Sequence, residues 1–222
     1  MGQNVCAMSV IIKICGLNTP ETLDAAVSAG ADMIGFVFFE KSPRHISYDQ
    51  ARALGSELGN RAQKVALSVD ADDAQLSAIV EALHPDYLQL HGHETPERVQ
   101  AVKNRFGVKV IKVLPVGEAA DLGVVPLYEK TADFLLFDTK PPKQAILPGG
   151  NGISFDWTLL AGLSARLPYM LSGGLNPDNV AKALAMTGAW GVDVSSGVET
   201  APGRKDPALI RRFIAAVRAA AH

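Results

Sequence analysis

The chain has 222 residues, 48% of them hydrophobic, and a formal net charge of −2. That length supports one sizeable core and not two comfortable ones, and the balanced charge gives no footing for nucleic acid and no acidic tail. The two cysteines, Cys6 and Cys15, are too few for a disulfide framework and form no Cys-x-x-Cys metal or redox pair.

The opening "MGQNVCAMSV" has no basic stretch leading into an apolar one and does not read as a secretory signal. Residues 1–8 are expected to be a tail and residues 9–222 the folded unit. The longest apolar run, "MIGFVFF", is too short to cross a bilayer. A cytoplasmic location is expected, where thiols stay reduced.

From there, β-rich runs alternate with helical patterns. "VIIKIC" (10–15) is a strand, followed by "NTPETLDAAVSAG", with Asn18 or Thr19 as cap, Pro20 in the first turn and Gly30 as stop. "MIGFVFF" (33–39) leads through "EKSPRHIS" to a helix at "SYDQARALGSELG". "KVALSV" (64–69) precedes the helix "DADDAQLSAIVEAL", and "DYLQLH" (86–91) precedes "ETPERVQAVKNRFG". "VKVIKVL" (108–114) is followed by the least regular stretch, Glu118 to Lys130, with Gly123 and Pro126 inside. "DFLLFD" (133–138) runs into the long irregular "TKPPKQAILPGGNG"; Trp157 in "SFDWTLLAG" is expected to pack the helix after it. "YMLSG" (169–173) precedes "NPDNVAKALAMTG", and "WGVDVSS" (190–196) precedes the last helix, "DPALIRRFIAAVRAA". The basic "RKDPALIRRF" reads as part of that helix with a solvated face.

Strands this rich in Val, Ile, Leu and Phe are buried on both faces. Eight strand–helix units in one chain predict an α/β fold, a single-domain (β/α)8 TIM barrel of the phosphate-binding type. An open doubly wound sheet is the alternative, but its first turn is usually Gly-rich, and here it is "CGLNTPE".

In such a barrel the chemistry sits at the C-terminal ends of the strands. Those ends are Cys15, the "EKSPRHIS" loop, Asp70, His91, Leu114, Asp138, Ser172-Gly173-Gly174 and Ser195-Ser196-Gly197. "LSGGLNPDN" and "DVSSGVE" place glycines where backbone N–H groups can approach an anion, at the loops that commonly hold phosphate. Gly149, Gly150 and Gly152 of "PGGNG" offer a third such loop. Ordinary glycine turns would explain each loop taken alone.

Asp138 leaves an apolar strand, so desolvation would keep it protonated as an acid; a capping or solvated Asp stays open. Alternation puts Lys13 on the side of Cys15, with Ile12 and Ile14 opposite. If that side faces the barrel interior, an ammonium lies near the thiol and favours the thiolate. A buried inert cysteine is the simpler reading of a lone Cys. Asp193 shares parity with Gly191 and Ser195 and reads as an orienting or structural acid. His91 is divided between a core histidine and a mouth residue. Arg44 suits a carboxylate partner, though an exposed arginine is the plainer reading. Asp70 reads as the start of the next helix. The histidines 45, 84, 91, 93 and 222 do not fall at strand ends in the number a catalytic metal needs, with a His91–His93 pair in one loop as the weak alternative.

The motifs "KICGL", "GFVFFEKSPRHIS", "LQLHG", "LLFDT", "PGGNG-x-x-FDW", "LSGGLNPDNV" and "GVDVSSGVETAPGRKD" follow one another in this order. The series resembles the phosphoribosylanthranilate isomerase family over nearly the whole chain from about Ile12. The resemblance implies a (β/α)8 barrel of tryptophan biosynthesis. Its reaction would be an Amadori rearrangement of N-(5-phosphoribosyl)anthranilate to 1-(2-carboxyphenylamino)-1-deoxyribulose 5-phosphate. It further implies Cys15 as general base, Asp138 as general acid and Arg44 as the contact for the anthranilate carboxylate. The phosphate would be held by Gly149, Gly150, Gly152, Gly173, Gly174, Ser195, Ser196 and Gly197. The strand-end positions, apart from the resemblance, add His91 as a candidate substrate contact and Lys13 and Asp193 as supporting candidates. Asn151 departs from the threonine common in that loop, which a backbone-binding loop tolerates. No cofactor and no metal are implied. The expected partner is a small phosphorylated aminosugar, with neither nucleic acid nor membrane, bound by a monomer or homodimer. The histidine-pathway isomerase, which has Asp at the first strand end, and a catalytically silent phosphate-binding barrel are the alternatives.

Overall fold

The computed structural model describes residues 10–141, 149–150, 152, 154–163 and 165–220. The expected tail, residues 1–8, lies outside these, as do 142–148 and Asn151 of the long loop.

Each apolar run forms a parallel strand, and the eight close into a barrel in sequence order. The first half reads β1 (Ile11–Cys15), α1 (Pro20–Ser28), β2 (Met33–Phe38), α2 (Tyr48–Leu58), β3 (Gln63–Ser68), α3 (Asp73–Leu83), β4 (Tyr87–Leu90) and α4 (Pro96–Phe106). The second half reads β5 (Lys109–Val116), α5 (Val125–Tyr128), β6 (Phe134–Thr139), β7 (Tyr169–Leu171), α6 (Val180–Thr187) and β8 (Gly191–Val194). A two-stranded ribbon, β9 (Glu199–Ala201) and β10 (Arg204–Lys205), precedes the closing helix α7 (Pro207–Ala220). Closure pairs β1 with β8, Lys13 opposite Asp193.

The strand period of two sorts the side chains into two apolar layers. Ile12, Ile14, Ile34 and Phe36 pack outward against the helices, and Met33, Val65, Tyr87, Ile111, Leu136 and Met170 fill the interior. At the end away from the site, Asp32, Asp86 and Asp133 each stand just before an even-numbered strand. Each accepts the N–H of a residue on the preceding strand: Ile12 (2.8 Å), Lys64 (2.7 Å) and Val110 (2.8 Å). Strand starts are thereby tied pairwise where the barrel would otherwise fray.

Local capping chemistry sets most helix starts. Of the two candidates for α1, Thr19 is the cap, accepting from Thr22 N, while Asn18 donates to Gly203 O (3.2 Å). Capping boxes Ser47–Gln50 and Asp72–Gln75 open α2 and α3. Asp70 therefore does not start its helix; it takes a positive φ of 49° and accepts from His93 N (2.6 Å). After β6, where a helix was expected around Trp157, the described residues hold only a 3-10 turn, Trp157–Leu160, with Trp157 buried. The α6 helix starts at Val180 rather than at the "NPDN" motif. Asn176 and Asn179 bond each other's turn (2.8 and 3.1 Å), a local alternative that outcompetes helical bonding. Among the described residues no helix is long and apolar enough to cross a membrane.

Candidate active site

One cavity opens at the C-terminal ends of the strands, lined by Cys15, Arg44, His91, Asp138, Asp193 and the glycine loops. Strand geometry delivers each group. Cys15 is the last residue of β1, 4% exposed and free. Its neighbour on β2 is Gly35, and a Cβ there would lie 2.8 Å from the Cys15 Sγ and 3.1 Å from the Lys13 Nζ. Only glycine leaves room for both groups on the interior face.

The interior placement of Lys13 and Cys15 is as parity requires, with Lys13 fully buried and its Nζ donating to Asp193 Oδ1 at 2.8 Å. Asp193 Oδ2 accepts from Ser172 Oγ at 3.5 Å. Burial works against the charge on Lys13, but the Asp193 carboxylate and the Cys15 sulfur outweigh it and hold the ammonium above its ordinary value. The thiol goes the other way from the reading that a nearby cation favours thiolate. Burial pushes the Cys15 pKa up, Lys13 pulls it down, and Asp193 adds a second upward push; burial and Asp193 win. Lys13 bonds Asp193 and also acts on the thiol, yet its pull does not overcome burial. In a Cys6→Ser background, alkylation of Cys15 by iodoacetamide is expected to accelerate only at pH above the ordinary thiol range. A rate already at its plateau at pH 7 contradicts this balance.

Asp138, near the end of β6, is 5% exposed, and Oδ1 accepts from Thr139 N at 2.8 Å. His91 follows β4 and reaches Asp138, Nε2 to Oδ2 at 3.4 Å. This settles the histidine as a mouth residue rather than a core one. Behind it, Gln89 Nε2 lies 3.5 Å from His91 Nδ1, and the buried Gln89 Oε1 has no partner among the described residues. An acceptor buried without a partner at a cavity wall is placed to meet a ligand hydroxyl or water. The loop beyond His91 is pinned from below. Glu94 accepts from Gly92 N (2.9 Å) and Asp70 N (3.0 Å) and pairs with the buried Lys112 at 2.6 Å.

The glycine loops come up against the same groups: a Cβ on Gly149 would lie 2.5 Å from Asp138 Oδ2 and 2.8 Å from His91 Nε2. Gly173 has φ 86°, and a Cβ on it would collide with Thr139 Oγ1 and the Thr139 amide. A Cβ on Gly197 would collide with the carbonyl of Leu175, so the loops after β7 and β8 touch through bare backbone. Gly152 faces Ser196 Oγ, which brings the third loop to the same corner. Ser195 Oγ donates to the Cys15 carbonyl (3.2 Å), joining the last loop to the first strand. After β8 the chain turns into a 3-10 segment, Ser196–Val198, whose first amides have no intrahelical partner. Gly amides and hydroxyls gathered in this way can take an anion.

Arg44 is not the surface arginine its loop position allowed. It is 6% exposed, with Nε and Nη2 on Glu199 Oε1 and Oε2 at 2.7 and 2.8 Å. Nη2 also reaches Gly150 O at 3.4 Å. The side-on edge of the guanidinium is thus occupied, and among the described residues Nη1 has no hydrogen-bond partner. Among the described residues no group of three His, Cys, Asp or Glu could hold a metal ion.

Gly35, Gln89, Glu199 and Lys205 were not singled out from sequence. Gln89 had a signal, since it shares strand parity with His91. The others depend on contacts between distant strands and loops.

The N-(5′-phosphoribosyl)anthranilate (PRA) isomerase family model matches residues 12–216. An N-(5′-phosphoribosyl)anthranilate isomerase of Rhodopseudomonas palustris (strain BisB5) is 62% identical over 212 residues, 96% of this chain and 97% of that protein. The crystal structure of phosphoribosyl anthranilate isomerase from Thermotoga maritima is similar at TM-score 0.85 and 35% identity, covering 95% of this chain and 99% of that one. A phosphoribosyl anthranilate isomerase in complex with reduced 1-(o-carboxyphenylamino)-1-deoxyribulose 5-phosphate is similar at TM-score 0.83 and 34% identity, with the same coverage.

Proposed function

The chain belongs to the N-(5′-phosphoribosyl)anthranilate isomerase family, and we propose that its rearrangement is run by Asp138 as general acid and Cys15 as general base. The protein is an isomerase of tryptophan biosynthesis. It converts N-(5-phosphoribosyl)anthranilate to 1-(2-carboxyphenylamino)-1-deoxyribulose 5-phosphate.

Asp138 gives its proton to the ring oxygen as the nitrogen lone pair opens the ring to an iminium. That cation lies beside C2. It acidifies the C2–H bond and, by its charge, favours the thiolate of Cys15 over the thiol. Only the thiolate fraction is competent, and the intermediate itself raises that fraction. The thiolate takes the C2 proton, and the enolamine tautomerises to the ketone. His91, 3.4 Å from Asp138, orients the acid. The glycine loops hold the phosphate and Arg44 holds the anthranilate carboxylate, so the reacting carbons are fixed between two anchors. The observation that carries this reading is the single cavity joining the thiol, the carboxyl, the arginine and the glycine corner. No cofactor or metal is needed for proton transfers of this kind. The ligand is a small phosphorylated aminosugar, with no nucleic acid or membrane partner. The protein works in the cytoplasm as a monomer or homodimer.

Freshly made phosphoribosylanthranilate is expected to lose its anthranilate fluorescence on adding the protein. A barrel that binds phosphate but leaves that fluorescence unchanged would be catalytically silent, and the reading would fall.

A further inference from the structure

The ribbon after β8 carries two buried charges beyond the acid–base pair, Glu199 and Lys205, and Lys205 also pulls the Cys15 thiol down. Its turn is locked against the loop after β2: Gly203 has φ 79°, and a Cβ on it would collide with the Pro43 carbonyl. A register shift between Arg204 and Lys205 sets Lys205 beside Glu199. Glu199 accepts from Arg44 Nε and Nη2, from Lys205 Nζ (2.8 Å) and from Gly203 N (3.3 Å). Lys205 donates onward to Ser195 O (2.9 Å) and Ser195 Oγ (3.1 Å). The side chains of Arg44, Glu199 and Lys205 are 7%, 4% and 0% exposed. A continuous chain of bonds therefore runs from Arg44 through Glu199 and Lys205 to Ser195, and from Ser195 to the Cys15 carbonyl.

We propose that Glu199 and Lys205 are a positioning pair for substrate binding. Glu199 fixes which nitrogen of Arg44 meets the substrate carboxylate, and Lys205 ties that clamp to the phosphate corner at Ser195. The proposal rests on the functional reading above, since it needs a ligand with an anion at each end.

Glu199 occupies the Nε–Nη2 edge in a side-on pair, the geometry that removes most freedom from a guanidinium. The carboxylate of the substrate is left with Nη1. The distance between the two anchors is then set by protein bonds before substrate arrives, which lowers the ordering cost of binding. Loss of Glu199 would not simply free a positive charge. Burial already brings Lys205 down to about 8 against the pull of Glu199. Without that carboxylate Lys205 is pushed further toward the neutral amine. Arg44 keeps its charge and loses its aim.

The test compares KM and kcat of wild type, Glu199→Gln and Glu199→Asp on phosphoribosylanthranilate and on phosphoribosylaniline, which lacks the carboxylate. In Glu199→Gln the KM for the natural substrate is expected to rise about tenfold, the loss of a charge-assisted contact. Its kcat should hold within about threefold, since neither reacting group is touched. The KM for the aniline compound should stay near the wild-type value, and Glu199→Asp should recover part of the loss. A purely structural role would shift both substrates together and lower the melting temperature without any rescue by Asp. Equal KM values in wild type and Glu199→Gln, or a parallel loss on both substrates, overturn the proposal. Should the amide variant fail to fold, the same comparison with Glu199→Asp decides, because its shorter carboxylate withdraws from Arg44 while keeping its charge. A wild type inactive on both compounds would instead overturn the functional reading.

Discussion

Cys15→Ala is expected to lower kcat by roughly 10²–10⁴-fold, the usual worth of one positioned acid–base group, with KM nearly unchanged. Among the described residues, neither charged neighbour of the thiol on the cavity floor can replace it. Lys13 is held as an ammonium by Asp193 and has no lone pair to offer. Asp193 is engaged by Lys13 and Ser172 on the floor of the cavity. Substrate binding should survive, because the phosphate corner and Arg44 are separate from the Sγ. The change removes one sulfur from a site that is 4% exposed, costing about 1 kcal/mol of stability or less. A melting temperature within a few degrees of wild type will separate lost chemistry from lost fold. Cys15→Ser should be nearly as impaired, since a hydroxyl ionises far less readily than a thiol. Steady-state kinetics with purified protein checks this, and full activity in Cys15→Ala would remove the base from the mechanism.

Asp138→Asn should cost a similar roughly 10²–10⁴-fold in kcat. The amide is nearly isosteric, and its oxygen can keep the 2.8 Å bond from Thr139 N. Its nitrogen would then face His91, which stands 3.4 Å from Oδ2. What is lost is a transferable proton, so ring opening slows while binding holds. A KM raised in step with a preserved kcat would instead mark Asp138 as a binding residue.

The two variants act at different steps. Without Cys15 the ring should still open and the iminium wait; without Asp138 it should form only at the uncatalysed rate. That ordering follows from the chemistry of one acid and one base, and it distinguishes this account from any in which either group merely binds substrate.

Much of the barrel was legible because both of its layers are periodic. Runs such as "DFLLFD" are apolar on both faces, and parity put Lys13 and Cys15 on one side, which the barrel closure with Asp193 makes the interior. The helix starts were legible where a side chain caps them, as at Thr19 and Ser47. Asp70 misled because Asp72, two residues on, competes for the same role and has Gln75 to complete its box. The short turn at Trp157 misled because an apolar, aromatic segment packs equally well without forming a full helix.

The site was legible in its strand ends and not in its cross-links. The Arg44–Glu199 pair spans 155 residues and exists only because the ribbon after β8 folds back over the loop after β2. Gly35 owes its place to the Cys15 sulfur on the adjacent strand, a contact no local pattern encodes. The protonation of Cys15 was the hardest to read. Its sign depends on burial and on Asp193 together outweighing Lys13, a balance of distances and not of residue types.

Borohydride trapping tests the central claim most directly. Each variant is mixed with fresh phosphoribosylanthranilate, quenched with borohydride, and assayed for the reduced ring-opened amine. Cys15→Ala should yield this adduct well above the protein-free background, and Asp138→Asn should yield no more than background. An adduct in Asp138→Asn equal to that in Cys15→Ala would contradict the division of labour between acid and base.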